Sequence, residues 1–339
     1  MDNFLQNKKI LFLTTNFFQY EKAIIQEMEK LGATVDFYDE RPSNNNFGKG
    51  VIRVAPRLFS WKTNRYYNQI LSDTKDKKYD FFLLIKGEAT PLSFLKKFRK
   101  LHPESSCIFY AYDSVEEYPK FLKLQQYFDK VFTFEARDSQ KYNWHFRPLF
   151  YIDAYQTKVT THKIYDLSFV GSAHTDRYFI SEKIEKELHK NKLSSFFYYY
   201  APSRIIFYLK RIFDSHFKKF DIRKINTQPL SHESISKIYQ QSVAILDINK
   251  PFQFGMSMRP FESLAAERKL VTTNPEIIHY PFYNPNNILI IDREQPNIPK
   301  DFFQTEFQPL PKEQLEMLTI QSWLEGIFKK NQDDYWKWW

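Results

Sequence analysis

Short apolar runs alternate with longer stretches of helical character through roughly the first hundred residues, and this alternation is what most restricts the fold of the chain. Lys9-Ile10-Leu11-Phe12-Leu13 reads as a buried strand, and Tyr20 to Leu31 as a helix closed by Gly32, where a positive φ is tolerated. Thr34 to Tyr38, Phe81 to Ile85, Cys107 to Ala111 and Lys130 to Phe134 read as further strands, with helical segments such as Pro91 to Leu101 between them. Strands separated by helix-length segments build a parallel sheet covered by helices, because a parallel pair needs a long crossover. A Rossmann-like half follows.

A second series opens after Arg147-Pro148-Leu149-Phe150-Tyr151-Ile152 and the polar stretch that runs to His162. Tyr165 to Val170 reads as a strand ending at Gly171-Ser172, followed by a helix from Tyr178 to Lys190, a strand Val243 to Ile248, a helix Pro260 to Arg268 and a strand Leu270 to Thr273. A length of 339 residues suits two domains of about 150 each better than one. The boundaries expected are 1–155 for the first domain, 156–315 for the second and 316–339 for a helical tail able to pack back on the first.

Composition narrows the setting without choosing a function. Cys107 is the only cysteine, so no intrachain disulfide can form and a reducing, cytoplasmic setting is expected. The first apolar run is too short for a signal-peptide core, and no stretch approaches the roughly 20 apolar residues of a membrane span. A net charge of +9 favours anionic partners, among them nucleotide diphosphates, acidic lipid surfaces and nucleic acid. The 34 Phe and 22 Tyr against 7 Gly imply bulky packing, though codon bias gives the same picture.

The sharpest segment runs from Ala244-Ile245-Leu246-Asp247-Ile248-Asn249 through Gly255-Met256-Ser257-Met258 to Arg259-Pro260-Phe261-Glu262. Pro260 suits a first helical position, which makes Glu262 a first-turn residue. A loop running into a helix N-terminus offers free N–H groups to a diphosphate, Arg259 adds a full charge, and Glu262 could accept hydrogen bonds from a ribose diol. The same glutamate would equally serve the helix itself by capping it and complementing its dipole, and spacing alone does not choose.

This segment resembles the donor site of the GT-B glycosyltransferases, in the group 1-like or spore-maturation-protein-like branch found in bacterial surface-polysaccharide loci. The matching residues are Leu246-Asp247-Ile248, Gln253-Phe254-Gly255 and Arg259 to Glu262. The resemblance implies two Rossmann-like domains facing an interdomain cleft, with Glu262 on the donor ribose and Arg259 near the diphosphate. Gly255, Met256 and Ser257 belong to the implied donor loop. Phe169-Val170-Gly171-Ser172 and the following Arg177 match the family's first phosphate loop, and His174 could donate to the same phosphate or lie unused at the surface. One residue departs from the pattern: relatives carry glycine after the Ala-Ala pair of the helix, where this chain has Glu267.

In the first half, Lys86-Gly87-Glu88 and Tyr112-Asp113-Ser114 place carboxylates just past strands and resemble family positions. Asp113 or Glu88 could act as general base on an acceptor hydroxyl, Asp113 being preferred; Asp113 could instead cap a helix and Glu88 pair with Lys86. Phosphate-loop, dinucleotide, serine-elbow and metal-spacing motifs are absent, as is Asp-x-Asp, so no metal or cofactor is expected beyond the nucleoside diphosphate sugar itself. Ser195 to Lys224 carries Phe196-Phe197-Tyr198-Tyr199-Tyr200 and then Arg204, Lys210, Arg211, Lys218 and Lys219 among apolar residues; if helical after Pro202, it would form either a basic amphipathic helix for an anionic membrane or a buried helix with a solvated basic face. The tail Tyr335-Trp336-Lys337-Trp338-Trp339 could anchor at an interface or pack back across the domains.

The expected activity is metal-independent transfer of a sugar to a glycan or lipid-linked glycan acceptor, such as lipopolysaccharide or capsule, in the cytoplasm or at the inner face of its membrane. The rivals are a nucleotide-sugar epimerase or hydrolase on the same architecture, and a basic protein that binds membrane or nucleic acid without catalysis. No nucleic-acid motif supports the last, and no nucleic-acid partner is expected.

Overall fold

A computed structural model of the chain describes residues 3–42, 60–156, 162–173, 176–205, 207–208, 220–329 and 336. The chain divides into two compact units, Met1–Pro148 with Leu324–Asp333, and Leu149–Trp323 with Asp334–Trp339.

The first unit is built on six parallel strands, β1 (Lys9–Thr14), β2 (Thr34–Asp39), β3 (Phe81–Ile85), β4 (Ser106–Ala111), β5 (Lys130–Thr133) and β6 (His145–Phe146), in the order β2-β1-β3-β4-β5-β6. Helices α1 (Tyr20–Lys30), α2 (Ser60–Thr74), α3 (Leu92–Leu101), α4 (Phe121–Leu124) and α5 (Ala136–Tyr142) connect them. Continuous apolar runs such as Phe81-Phe82-Leu83-Leu84-Ile85 suit strands covered on both faces. Helix α3 seats Phe94, Leu95 and Phe98 against them, the Phe98 ring lying 4.6 Å from that of Phe82. Cys107 sits inside this core, where burial pushes its thiol up to about 11, so it is no nucleophile at neutral pH.

The second unit has β7 (Tyr165–Ser172), β8 (Ser195–Tyr200), β9 (Ile225–Asn226), β10 (Ser242–Asp247), β11 (Lys269–Thr272) and β12 (Ile288–Ile290), all parallel, in the order β9-β8-β7-β10-β11-β12. This is the doubly wound dinucleotide-fold order, with its switch point between β7 and β10. In the first unit the order reverses between β1 and β3. The helices here are α6 (Arg177–Lys190), α7 (His232–Gln240), α8 (Met258–Ala265), α9 (Lys312–Met317) and α10 (Ile320–Phe328).

Parts of both units go beyond what the sequence assigned. Phe196 to Tyr200, given no secondary structure from the sequence, form β8: aromatic side chains pack well on a pleated surface, and Tyr199 meets Phe220 and Tyr178 in the core. Lys210, Arg211, Lys218 and Lys219 of the basic stretch lie outside the described residues. The short strands β6, β9 and β12 and the helices α2 and α7 lie outside the segments assigned from the sequence.

Leu149 onward pairs within the second unit: Tyr151 bridges Thr319, and the Phe150 ring lies 4.7 Å from Trp323. The last turns of α10 belong to the first unit, where Phe328 packs edge-on against Phe81 at 5.0 Å and the Lys130 ammonium donates to the carbonyl of Lys329. Of the tryptophan-rich tail only Trp336 is described, and it is buried beside Tyr280. Among the described residues no helix is long and apolar enough to cross a membrane.

Candidate functional site

The carboxyl ends of β7 and β10 meet at the switch point, the edge where open α/β sheets bind ligands. Asp247, the last residue of β10, is fully buried there. Its Oδ1 accepts from Arg259 Nη1 at 2.6 Å and Ser257 Oγ at 2.8 Å, and its Oδ2 from Thr272 Oγ1 at 3.2 Å. Arg259 Nη2 donates to the carbonyl of Val170 at 3.0 Å, and the guanidinium lies over the Phe169 ring at 5.2 Å. One arginine thus ties the ends of β7 and β10 together. Gly171 is what lets it come so close, because a Cβ there would stand 3.1 Å from Arg259 Nη2 and 2.7 Å from the Phe169 ring.

Two further guanidinium groups gather at this edge. Arg177, first residue of α6, is buried and donates from Nε to the carbonyl of Ile248 at 2.9 Å. Burial, and then the neighbouring Arg259, lower its pKa to about 10. Arg293, beyond β12, reaches Asp176 at 2.8 Å, Asn249 Oδ1 at 2.8 Å and Thr273 Oγ1 at 3.0 Å. A depressed arginine pKa records positive charge crowded where water is scarce. Such a place attracts a polyanion.

The loop and helix that complete the edge correct the sequence reading at two points. Helix α8 begins at Met258 with Ser257 as its N-cap, so Pro260 is its third residue and Glu262 its fifth. Proline costs no hydrogen bond anywhere in a first turn, whose N–H groups lack helical partners, so it did not fix the start. Ser257 and Arg259, both anchored on Asp247, fix it instead. Glu262 therefore lies beyond the first turn, where capping the helix is not its task; it is buried and accepts from the Tyr239 hydroxyl at 3.4 Å. The second correction concerns Met256, whose side chain is fully buried, leaving only its main chain to a ligand. Gly255 is also buried, its carbonyl held by Gln253 Nε2 at 3.1 Å. Gly171 and Ser172, at the end of β7, are partly accessible. His174 lies outside the described residues.

Glu267 stands where the resemblance has glycine, and it adopts the glycine conformation, φ 52°. The amide of Arg268 bonds to the carbonyl of Ser263 and that of Glu267 to Leu264, a Schellman closure of α8. The turn geometry is therefore retained without the glycine. Glu267→Gly should raise stability by about 1 kcal/mol, the left-handed penalty of a residue with a Cβ less glycine's extra chain entropy. A urea midpoint that stays or falls would show that the turn is unstrained.

In the first unit, Glu88 and Asp113 come together through one lysine: Lys86 Nζ lies 3.6 Å from each. Glu88 also pairs with Arg41 at 3.1 Å. The Lys86–Glu88 pairing anticipated as an alternative is present, whereas the amide of Val115 is taken by Asp138 and not by Asp113. Sequence reasoning did not select Asp247, Arg293, Lys86 or Glu40 as site residues. Asp247 carried a signal, an acidic residue inside an apolar strand; Arg293 carried none, since its partners are remote in the chain.

No protein-family model matches the chain, and no curated protein matches it. Solved structures do. A UDP-forming α,α-trehalose-phosphate synthase from Burkholderia xenovorans, in complex with glucose-6-phosphate, is similar with a TM-score of 0.57 at 11% identity, over 94% of this chain and 98% of that one. The fold is GT-B. The N-terminal domain of Candida albicans trehalose-6-phosphate phosphatase gives a TM-score of 0.52 at 10% identity, over 98% and 95% of the two chains. A Methanocaldococcus jannaschii UDP-GlcNAc 2-epimerase in complex with UDP-GlcNAc and UDP gives 0.51 at 11% identity, over 96% and 94%. At these identities the likeness carries the architecture and no activity.

Proposed function

We propose that the chain is a glycosyltransferase that takes a sugar from a nucleoside diphosphate sugar bound at the β7/β10 switch point and passes it to a hydroxyl of a glycan acceptor. The observation that carries this reading is the convergence of Arg177, Arg259 and Arg293 with the buried Glu262 at the ligand-binding edge of a doubly wound sheet. A diphosphate needs dispersed positive charge, and a ribose needs a carboxylate that accepts from both hydroxyls. In this reading Arg177, Arg259 and the Gly171-Ser172 and Gly255-Met256-Ser257 main chain take the diphosphate and stabilise the leaving group without requiring a metal ion. Asp113, or Glu88, takes the proton of the acceptor hydroxyl. The acceptor belongs to a surface glycan such as lipopolysaccharide or capsule, reached at the inner membrane face.

Thermal stabilisation by UDP, GDP, ADP, dTDP and CMP tests the donor site. A nucleoside diphosphate at a hundredfold excess over its Kd should raise the melting midpoint by about 5 °C. No shift with any of them would remove the foundation of the reading. An epimerase on the same architecture is the rival: rapid conversion of a donor to its epimer without acceptor would replace transfer with epimerisation.

A further inference from the structure

Among the described residues, Asn7, Phe18, Gln19, Lys86, Asn143, Lys192 and Glu267 have positive φ although they are not glycine. Asn143, Lys192 and Glu267 close α5, α6 and α8, and Asn7 turns the chain into β1. Phe18 and Gln19 lead into α1, Gln19 as its N-cap, and Lys86 alone has no helix end or strand entry to serve. It follows β3 directly, at the switch point where β3 neighbours β1 in the first unit. Left-handed bulky residues persist only where their surroundings over-determine them, and they gather at functional edges.

The surroundings of Lys86 supply that over-determination. Gly87 follows it at φ 77°, where a Cβ would stand 2.6 Å from Leu124. Glu40, just past β2, is fully buried, and its Oε1 accepts from the amides of Ala89 and Thr90 and from Thr90 Oγ1, while its Oε2 accepts from the amide of Gly87 at 3.2 Å. From the other side, Lys120 Nζ donates to the carbonyls of Glu88 at 3.1 Å and Thr90 at 2.7 Å. Burial, with Glu88 adding to it, pushes the Glu40 carboxyl above its usual range against the pull of these donors. A fully buried carboxyl and a half-buried ammonium thus hold one five-residue turn.

What that turn presents is the Lys86 ammonium, 3.6 Å from both Glu88 and Asp113 and near the faces of Phe17 and Tyr112 at 5.9 and 5.5 Å. We infer that Glu40 is a positioning residue: it locks the left-handed Lys86-Gly87 pair and so sets the geometry of Lys86, Glu88 and Asp113, the groups that handle the acceptor. The kinetic part of this inference rests on the transferase reading; the structural part does not.

Glu40→Gln tests it, because an amide that keeps its oxygen toward Ala89 and Thr90 turns its NH2 group toward the Gly87 N–H. Hydrogen–deuterium exchange on the full chain should quicken by about tenfold or more in peptides covering 86–90, with the strands of the unit unchanged. In a transfer assay kcat should fall about tenfold or more at an unchanged donor KM, since misplacement of catalytic groups costs rate and leaves a donor site elsewhere intact. Thr90→Val, which removes one donor and little volume, should move both readouts the same way by less, and it stands in if Glu40→Gln does not fold. Unchanged exchange overturns the lock. Faster exchange with unchanged kcat overturns the positioning role. If the wild type turns over no donor, the transferase reading fails, and exchange still decides whether Glu40 holds the turn.

Discussion

Replacing Arg259 with methionine is expected to lower the melting midpoint by about 10 °C and to abolish nucleotide binding, because it strands the fully buried carboxylate of Asp247. Breaking a buried ion pair from one side costs about 3–5 kcal/mol, far more than removing the pair together. The companion experiment is therefore the double variant Asp247→Asn, Arg259→Met. It should recover much of the lost stability, since no unpaired charge remains, the amide oxygen can still accept from Ser257, and the amide NH2 can donate to the Thr272 hydroxyl. Nucleotide binding should not return. If binding recovers together with stability, the guanidinium is a brace between β7 and β10, and the diphosphate site must be sought elsewhere.

Glu262→Gln is expected to weaken nucleotide binding by roughly ten- to a hundredfold, the worth of a hydrogen bond to a charged group, with little change in the stability of the free protein. Stability is spared because the amide keeps an oxygen for the Tyr239 hydroxyl and removes a buried charge. The discriminating measurement compares a ribonucleotide with its 2′-deoxy counterpart by calorimetry. The wild type should prefer the ribonucleotide, and the variant should lose most of that preference. An equal preference in both proteins would mean that Glu262 never touches the ribose and serves only Tyr239 inside the unit.

The two variants probe different physics at one edge. Arg259 is fixed by the sheet ends it joins, so its loss shows first as stability. Glu262 is fixed by helix α8 and Tyr239, so its loss shows first as affinity. Glu267 supports that helix from its far end through a conformation glycine would adopt more cheaply.

By itself the sequence determined the two-sheet architecture. Its apolar runs at β1, β3, β4, β7, β10 and β11 are long enough, and far enough apart, to admit only parallel strands with helical crossovers. The Arg259 to Glu262 segment and the Gly171-Ser172 strand end were legible because a helix start and a strand end are local events. Local signals fixed little beyond that. Pro260 suggests a helix start two residues late, since a proline is indifferent to its place in the first turn, and the aromatic run of β8 carries no alternation that marks it as a strand. Only the tertiary structure decided which charges meet. Strand order is not written in periodicity, and it is strand order that sets β7 beside β10 and so puts Val170, Arg177, Asp247, Arg259 and Arg293 at one edge. The same holds for Glu40, forty-seven to fifty residues from the amides it accepts from. A buried charge is stable only with partners, and those partners are chosen by the sheet.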